Sequence, residues 1–468
     1  MTMLNNKSSL FNPHGTLIEE SGQLHQVQEI LADGDTLFSD VISGSLALLL
    51  CQNQYESVFF YINTIKRGVV PILIDAESDV SLVNEIILKY RPEYIFTPSI
   101  KETQFENYFV RHYFKNYILL KSDQENVITL NPKLALLLST SGTTGSPKLV
   151  RLSYQNLLSN AFSISEYLHL DSSEIAITSM PMNYSFGLSI INSHLLVGGS
   201  VVMTSESITQ RRFWNIFKNF NVTSLSGVPY TFEILKKFRL LNVELPSLKM
   251  LTQAGGKLSN ELIEHFSQFS FNKGIQFFLM YGQTEGTARL SYLPSQQNIE
   301  KLGSIGRPIP NGKFYIIDEK GDKINQPGTP GELVYTGPNV MLGYAEHKVD
   351  LALGDENKGI LNTGDIALFD EEEFYFIVGR IKRFIKIFGN RINLDELEHL
   401  LLGKGIQAAC TGKDNSLLVY ITKPEYSVLV KEYLSKKLGI HYSVYVIKVI
   451  EKIPKNPSGK ILYSKLLD

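Results

Sequence analysis

Two cysteines and a net charge of −2 are the extremes of this 468-residue sequence, and each shortage excludes something. Cys51 and Cys410 lie far apart in apolar surroundings, so they read as two buried free thiols, not as a disulfide framework, which fits a reducing compartment. A charge this near balance gives no reason to expect nucleic acid or an anionic membrane surface as a partner. Apolar runs such as Leu46–Cys51 and Ile86–Leu88 are far too short to span a bilayer. Residues Met1–Ser9 are polar and lack the basic-then-apolar pattern of a signal peptide, so the expected location is the cytoplasm. With 43% hydrophobic and 20% charged residues, the composition is that of an ordinary globular protein long enough for more than one domain.

What is present is an alternation of strand-like and helix-like stretches up to about residue 300. Val69–Ile74 reads as a buried strand, Val80–Tyr90 as a helix and Tyr94–Thr97 as a strand again. Lys257–Phe269 places Leu258, Leu262, Phe266 and Phe269 at helical spacing, and Gln276–Met280 reads as the strand after it. Such alternation predicts α/β layers with largely parallel sheets. Near Gly303 the texture changes to recurrent Gly and Pro between short β-rich runs, Lys313–Asp318 and Gly331–Thr336, which predicts a compact all-β element, a small barrel, over about 303–379. After Arg380 come Asn393 with Glu396 as a capping box, the strand Leu417–Ile421, the helix Ser427–Leu438 and the strand Tyr442–Ile450, a small α+β domain. No repeat or low-complexity linker separates the parts, so the boundary is expected to be a short hinge.

The densest chemistry follows the apolar run Leu134–Leu138. Ser139, Thr140, Ser141, Gly142, Thr143, Thr144, Gly145, Ser146, Pro147 and Lys148 put hydroxyls, two glycines and a lysine into one loop. Glycines let backbone N–H groups converge on an anion, hydroxyls add neutral donors and Lys148 adds a mobile cation. This is not the loop of P-loop NTPases, because the Gly-Lys-Ser/Thr ending is missing. It resembles the phosphate-loop signature of the adenylate-forming enzymes, the superfamily of acyl-CoA synthetases, peptide-synthetase adenylation domains and luciferases.

Further segments match that superfamily in order from about residue 135 to the end. Gln253-Ala254-Gly255-Gly256 resembles the segment that lines the adenine and acyl pockets. Tyr281-Gly282-Gln283-Thr284-Glu285 resembles the motif whose Tyr stacks on adenine, whose Thr contacts the α-phosphate and whose Glu binds Mg²⁺, a hard cation that usually takes one or two carboxylates with phosphates. Asn362-Thr363-Gly364-Asp365 is similar to the motif whose Asp accepts from both ribose hydroxyls, and Arg380 matches an arginine beside the ribose and phosphate. Lys382 stands at the hinge position; Lys386 and Gly389 belong to the segment that lines the thiol tunnel in relatives. Pro457-Ser458-Gly459-Lys460 matches the catalytic lysine, whose charge would offset repulsion between a substrate carboxylate and the α-phosphate of ATP.

The resemblance implies an AMP-binding N-terminal domain, 1–380, of layered α/β subdomains plus the small barrel, a hinge at 381–382 and a small mobile α+β C-terminal domain, 383–468. It also implies ATP and Mg²⁺, with CoA or a phosphopantetheine carrier as thiol acceptor. The expected reaction joins a small carboxylic acid to AMP with release of pyrophosphate, then transfers the acyl group to the thiol. CoA is the first expectation, an acyl carrier protein the alternative, and a nucleotide-binding protein that no longer catalyses the third reading. Departures narrow the substrate. Leu149 follows Lys148 where relatives usually carry Gly. In Pro181-Met182-Asn183-Tyr184-Ser185-Phe186-Gly187-Leu188, Ser185 stands where amino-acid-activating domains carry an Asp for the α-ammonium. The expected acid therefore lacks that ammonium. Tyr184 is either a gate to the acyl pocket or a core aromatic. Residues 1 to about 130 match the superfamily only in texture.

Overall fold

The computed structural model describes residues 10–123, 128–139, 148–239, 244–387, 390–438, 445–455 and 461–466. The chain divides into two compact units, the first formed by the chain up to Lys313 together with Tyr335–Leu361, the second by Phe314–Val334 and Asn362 onward.

Two sheets with parallel centres build the first unit. In one, Leu134–Ser139, Val70–Asp75, Leu46–Cys51 and Tyr94–Pro98 run parallel side by side, and antiparallel strands close both edges. In the other, Gln276–Tyr281, Met250–Gln253, Ser224–Gly227, Ile175–Ile177, Ser200–Met203 and Thr16–Glu19 form the parallel run. The central strands are near-continuous apolar runs because helices cover both faces of a parallel sheet. Helix Tyr55–Arg67 is buried from Tyr55 through Ile65 and stops where Gly68 adopts a left-handed conformation, φ 71°. Helix Ser185–Leu196 is buried over nearly its whole length, which is why its sequence shows no polar face. Both cysteines are buried and unpaired, as their apolar surroundings imply. Among the described residues no helix is long and apolar enough to cross a membrane.

Most elements fall where the periodicity places them. Helix Val80–Tyr90 matches in both bounds. The helix expected at 257–269 instead spans Asn260–Lys273. Ser259 Oγ accepts from the Leu262 N–H and caps the start, and left-handed Gly274 ends it.

The β-rich stretch forms a five-stranded sheet, Lys323–Ile324, Lys313–Ile317, Gly331–Thr336, Ile360–Phe369 and Tyr375–Arg380 in that order. Further along the second unit, Ala408–Lys413, Ser416–Ile421 and Tyr445–Val449 form a three-stranded sheet, with helices Leu394–Leu402 and Ser427–Leu438. Asn393 caps the first of these helices by accepting from the N–H groups of Asp395 (3.0 Å) and Glu396 (3.3 Å), the acceptor half of the expected capping box.

The last turn of helix Ser185–Leu196 carries His194, 4% exposed, whose Nδ1 donates to Ile190 O at 2.9 Å. Burial pushes this imidazole down from 6.5 to about 4. The unfolded chain protonates it below about pH 6.5 and the native chain only near 4, so stability is lost as pH falls through that window. The loss is expected to reach about 3 kcal/mol. Urea midpoints at pH 7 and pH 5 should drop for the wild-type chain and drop less for His194→Gln. An equal drop in both would assign the acid sensitivity to other groups.

Candidate active site

The turn after strand Gln276–Tyr281 is tied down from several directions. A Cβ on Gly282 would lie 1.6 Å from Ala288 O, so only glycine lets the chain fold back this tightly. One 3-10 turn, Thr284–Gly286, follows, then Thr287 (φ 57°) and Ala288 (φ 97°) in the left-handed region. Asn339 Nδ2 donates to Gly286 O (2.8 Å) and Arg289 O (3.1 Å), Asn160 Nδ2 donates to Arg289 O (2.9 Å), and Thr287 Oγ1 donates to Asn339 O (2.6 Å). These bonds offset the backbone strain and fix where Thr284 and Glu285 point.

Tyr344 OH donates to Glu285 Oε1 at 2.8 Å. Lys148 Nζ stands 3.8 Å from the centre of the Tyr344 ring and 3.5 Å from Glu346 Oε1. Burial first, and then the Glu285 charge, pushes the Tyr344 phenol far above its usual range, so it stays a proton donor to the carboxylate. A cation, an aromatic ring and a carboxylate are thus in line. Ser139 and Lys148 flank the Ser/Thr/Gly-rich segment, with Ser139 paired to Leu149. Thr140, Ser141, Gly142, Thr143, Thr144 and Gly145 lie outside the described residues.

Ser185 opens helix Ser185–Leu196, and its Oγ lies 3.3 Å from Thr284 Oγ1. A Cβ on Gly187 would sit 2.1 Å from Pro181 O, so glycine permits this close start. Gly255, φ 81°, sits under Tyr184: its added Cβ would lie 2.7 Å from Tyr184 OH. Burial raises the Tyr184 phenol. Gln253, 3% exposed, donates from Nε2 to Ala254 O (3.1 Å) and Gly256 O (2.9 Å), which holds the turn that presents Gly255. Tyr281 is half-buried, and its OH accepts from Gln283 Nε2 at 3.2 Å. Gly255→Ala is expected to lower kcat/KM for the acid about tenfold through strain and contact with Tyr184. The double variant with Tyr184→Phe should recover part of that loss, because the clashing oxygen is gone; no recovery would mean the contact is immaterial.

In the second unit, Asp365 and Arg380 stand opposite each other on paired strands. Arg380 Nε donates to Asp365 Oδ1 at 2.9 Å, with the Asp365 side chain 2% and the Arg380 side chain 48% exposed. Thr363 Oγ1 donates to Leu333 O (2.7 Å) and accepts from the Asp365 N–H (3.1 Å). Lys382 lies on the 3-10 turn Ile381–Arg383 and Lys386 on strand Phe384–Ile387. Gly389 and Lys460 lie outside the described residues.

Three contributors carried no motif: Tyr344, Asn339 and Asn160 act at long range in the sequence. The donor set suits the groups the motifs imply. Glu285 is a single carboxylate, enough for a Mg²⁺ otherwise held by phosphates and water, and no group of three or more metal-binding side chains gathers among the described residues.

Residues 37–345 match the family model described as AMP-binding enzyme. A 4-coumarate–CoA ligase-like protein of Arabidopsis thaliana is 29% identical over 351 residues, 71% of this chain and 62% of that protein. A luciferin 4-monooxygenase of Nipponoluciola cruciata is 31% identical over 274 residues, 58% of this chain and 49% of that protein. The chain thus spans less than two thirds of these relatives. Among solved structures, o-succinylbenzoate CoA synthetase from Bacillus subtilis with its acyl-adenylate intermediate superposes with a TM-score of 0.80 at 23% identity, over 97% of this chain and 95% of the other.

Proposed function

Because the chain belongs to the AMP-binding enzyme family, we propose that it activates a small carboxylic acid with ATP as an acyl-adenylate, releasing pyrophosphate, and passes the acyl group to a thiol, CoA in the first instance. The observation that carries this reading is the line Lys148–Tyr344–Glu285 beside the Thr284–Ser185 contact. Lys148 offers a positive charge to the phosphates, and Tyr344 holds Glu285 in one rotamer. Thr284 reaches the α-phosphate from a strained turn that needs no reorganisation. Mg²⁺, when bound at Glu285, neutralises charge on the phosphates. Asp365 accepts from the ribose hydroxyls, with Arg380 fixing its carboxylate, and Tyr281 stacks on adenine. Lys460 supplies the charge at the reacting oxygens. On this reading we propose a hinge at 381–382, between a nucleotide-binding portion 1–380 and a C-terminal portion 383–468 that serves the thiol step.

Pyrophosphate release from ATP and Mg²⁺ across a panel of carboxylic acids, with hydroxylamine to trap the adenylate, tests the first step. Acid-dependent release supports it, and absence of both release and ATP binding would overturn it. Replacing CoA by a pantetheine-bearing carrier protein decides the acceptor.

A further inference from the structure

Arg151 and Arg289 are both fully buried, at 0% and 1% exposure, yet only one is neutralised. Arg151 pairs with Glu356 and donates to the carbonyls of Tyr344, Leu353 and Gly354. Arg289 has no carboxylate in an ion pair among the described residues. It donates from one terminal nitrogen to Ser189 Oγ (3.1 Å) and from the other to Tyr167 OH (3.3 Å), and it also meets the Met280 sulfur. Its guanidinium lies 4.5 Å from the centre of the Phe186 ring, and its Nε has no partner among the described residues. Burial lowers the pKa of the group, and the nearest acids acting on it are the phenols of Tyr167 and Tyr184. A cation fixed by hydroxyls and a ring, with no anion, is incomplete.

Its surroundings say what would complete it. Ser189 follows Ser185 by one helical turn, and Ser185 touches Thr284. Both serines line one small cavity with Asn160 and Thr287, and Asn160 Oδ1 is also without a partner among the described residues. Leu138, Leu152, Leu157, Ala161 and Leu188 form the apolar part of the same lining, and the Arg289 charge, held on Ser189 beside it, repels an α-ammonium.

Resting on the acid-activation reading above, we infer that the acid substrate carries a second carboxylate, received by Arg289 and Ser189 while the first sits at Thr284. The two acid groups would stand roughly 5 Å apart, one helical turn, so the class is a short dicarboxylic acid.

The full chain is assayed by acid-dependent pyrophosphate release with matched pairs: succinate against butanoate, glutarate against pentanoate, and the monomethyl ester of each diacid. The diacid is expected to exceed its monoacid in kcat/KM by about 100-fold or more, the penalty for leaving a buried polar group unpaired. Arg289→Met should bring that ratio to about one. Thermal shift of the wild-type chain with diacid against monoacid is read in parallel and stays informative if the variant fails to fold: a midpoint raised by the diacid alone supports the proposal. Equal turnover of monoacids and diacids by the wild type, or an Arg289→Met ratio as high as wild type, overturns it and leaves acid activation standing. Loss of ATP binding and of release with every acid overturns the activation reading, and this inference with it.

Discussion

Replacing Lys460 with alanine is expected to cut acid-dependent pyrophosphate release by about 10²–10³-fold, the usual loss when one preorganised charge or donor is removed from a transition state. Thioester formation from a supplied acyl-adenylate should stay within a few-fold. The asymmetry follows from the chemistry. In the first half-reaction a carboxylate approaches a phosphate, so two anions meet, and negative charge spreads over the phosphoryl oxygens. In the second, a thiol attacks a neutral acyl carbon and AMP departs, and that step gains far less from a fixed cation. Lys148 does not substitute for Lys460, because it is already engaged with the Tyr344 ring and Glu346. Rates for the two half-reactions, measured separately on one protein preparation, decide the matter. Equal loss in both would remove the role assigned to Lys460 and make the C-terminal motif a structural one.

The candidate site residues stand out in the sequence because each motif is local. Tyr281–Glu285 is one strand end, Asn362–Asp365 is one strand, and the apolar runs beside them have strand periodicity. Arg380 was legible as a motif, and its register opposite Asp365 follows from the short hairpin between their strands. The supports were not legible. Tyr344 reaches Glu285, and Asn339 and Asn160 reach the strained turn, from segments whose local sequence is unremarked by charge or pattern. Only the pairing of Gly343–Ala345 against Leu149–Ser153 puts Tyr344 beside Lys148, and such long-range pairing leaves no periodic trace. Arg289 is hidden for the same reason: an Arg four residues past Glu285 reads as a surface charge until the turn sends it inward. The late start of helix Asn260–Lys273 is a smaller instance, where the Ser259 cap outranked the apolar spacing that began at Leu258.

Gly282→Ala and Gly274→Ala, placed at the two ends of strand Gln276–Tyr281, should separate contact from conformation. Gly274 has φ 66° and nothing within 4 Å of an added Cβ. Its replacement costs backbone strain alone, about 1 kcal/mol, with kcat/KM unchanged. Gly282 is the reverse case. It is absent from the positive-φ glycines, but its added Cβ would lie 1.6 Å from Ala288 O and 3.0 Å from Arg289 Cα. Backbone cannot yield as a side-chain tip can, so the turn must open. Opening it moves Thr284 and Glu285 together, breaks the Asn339 and Asn160 bonds to the turn, and leaves their polar groups buried without partners. The expected result is a destabilisation of about 3 kcal/mol or more with acid-dependent pyrophosphate release down by at least about 100-fold even in the folded fraction. Urea unfolding and release assays on both variants provide the comparison. Activity of Gly282→Ala within tenfold of wild type would show that the tight turn does not position the reacting groups, and the site would then have to be built on other contacts.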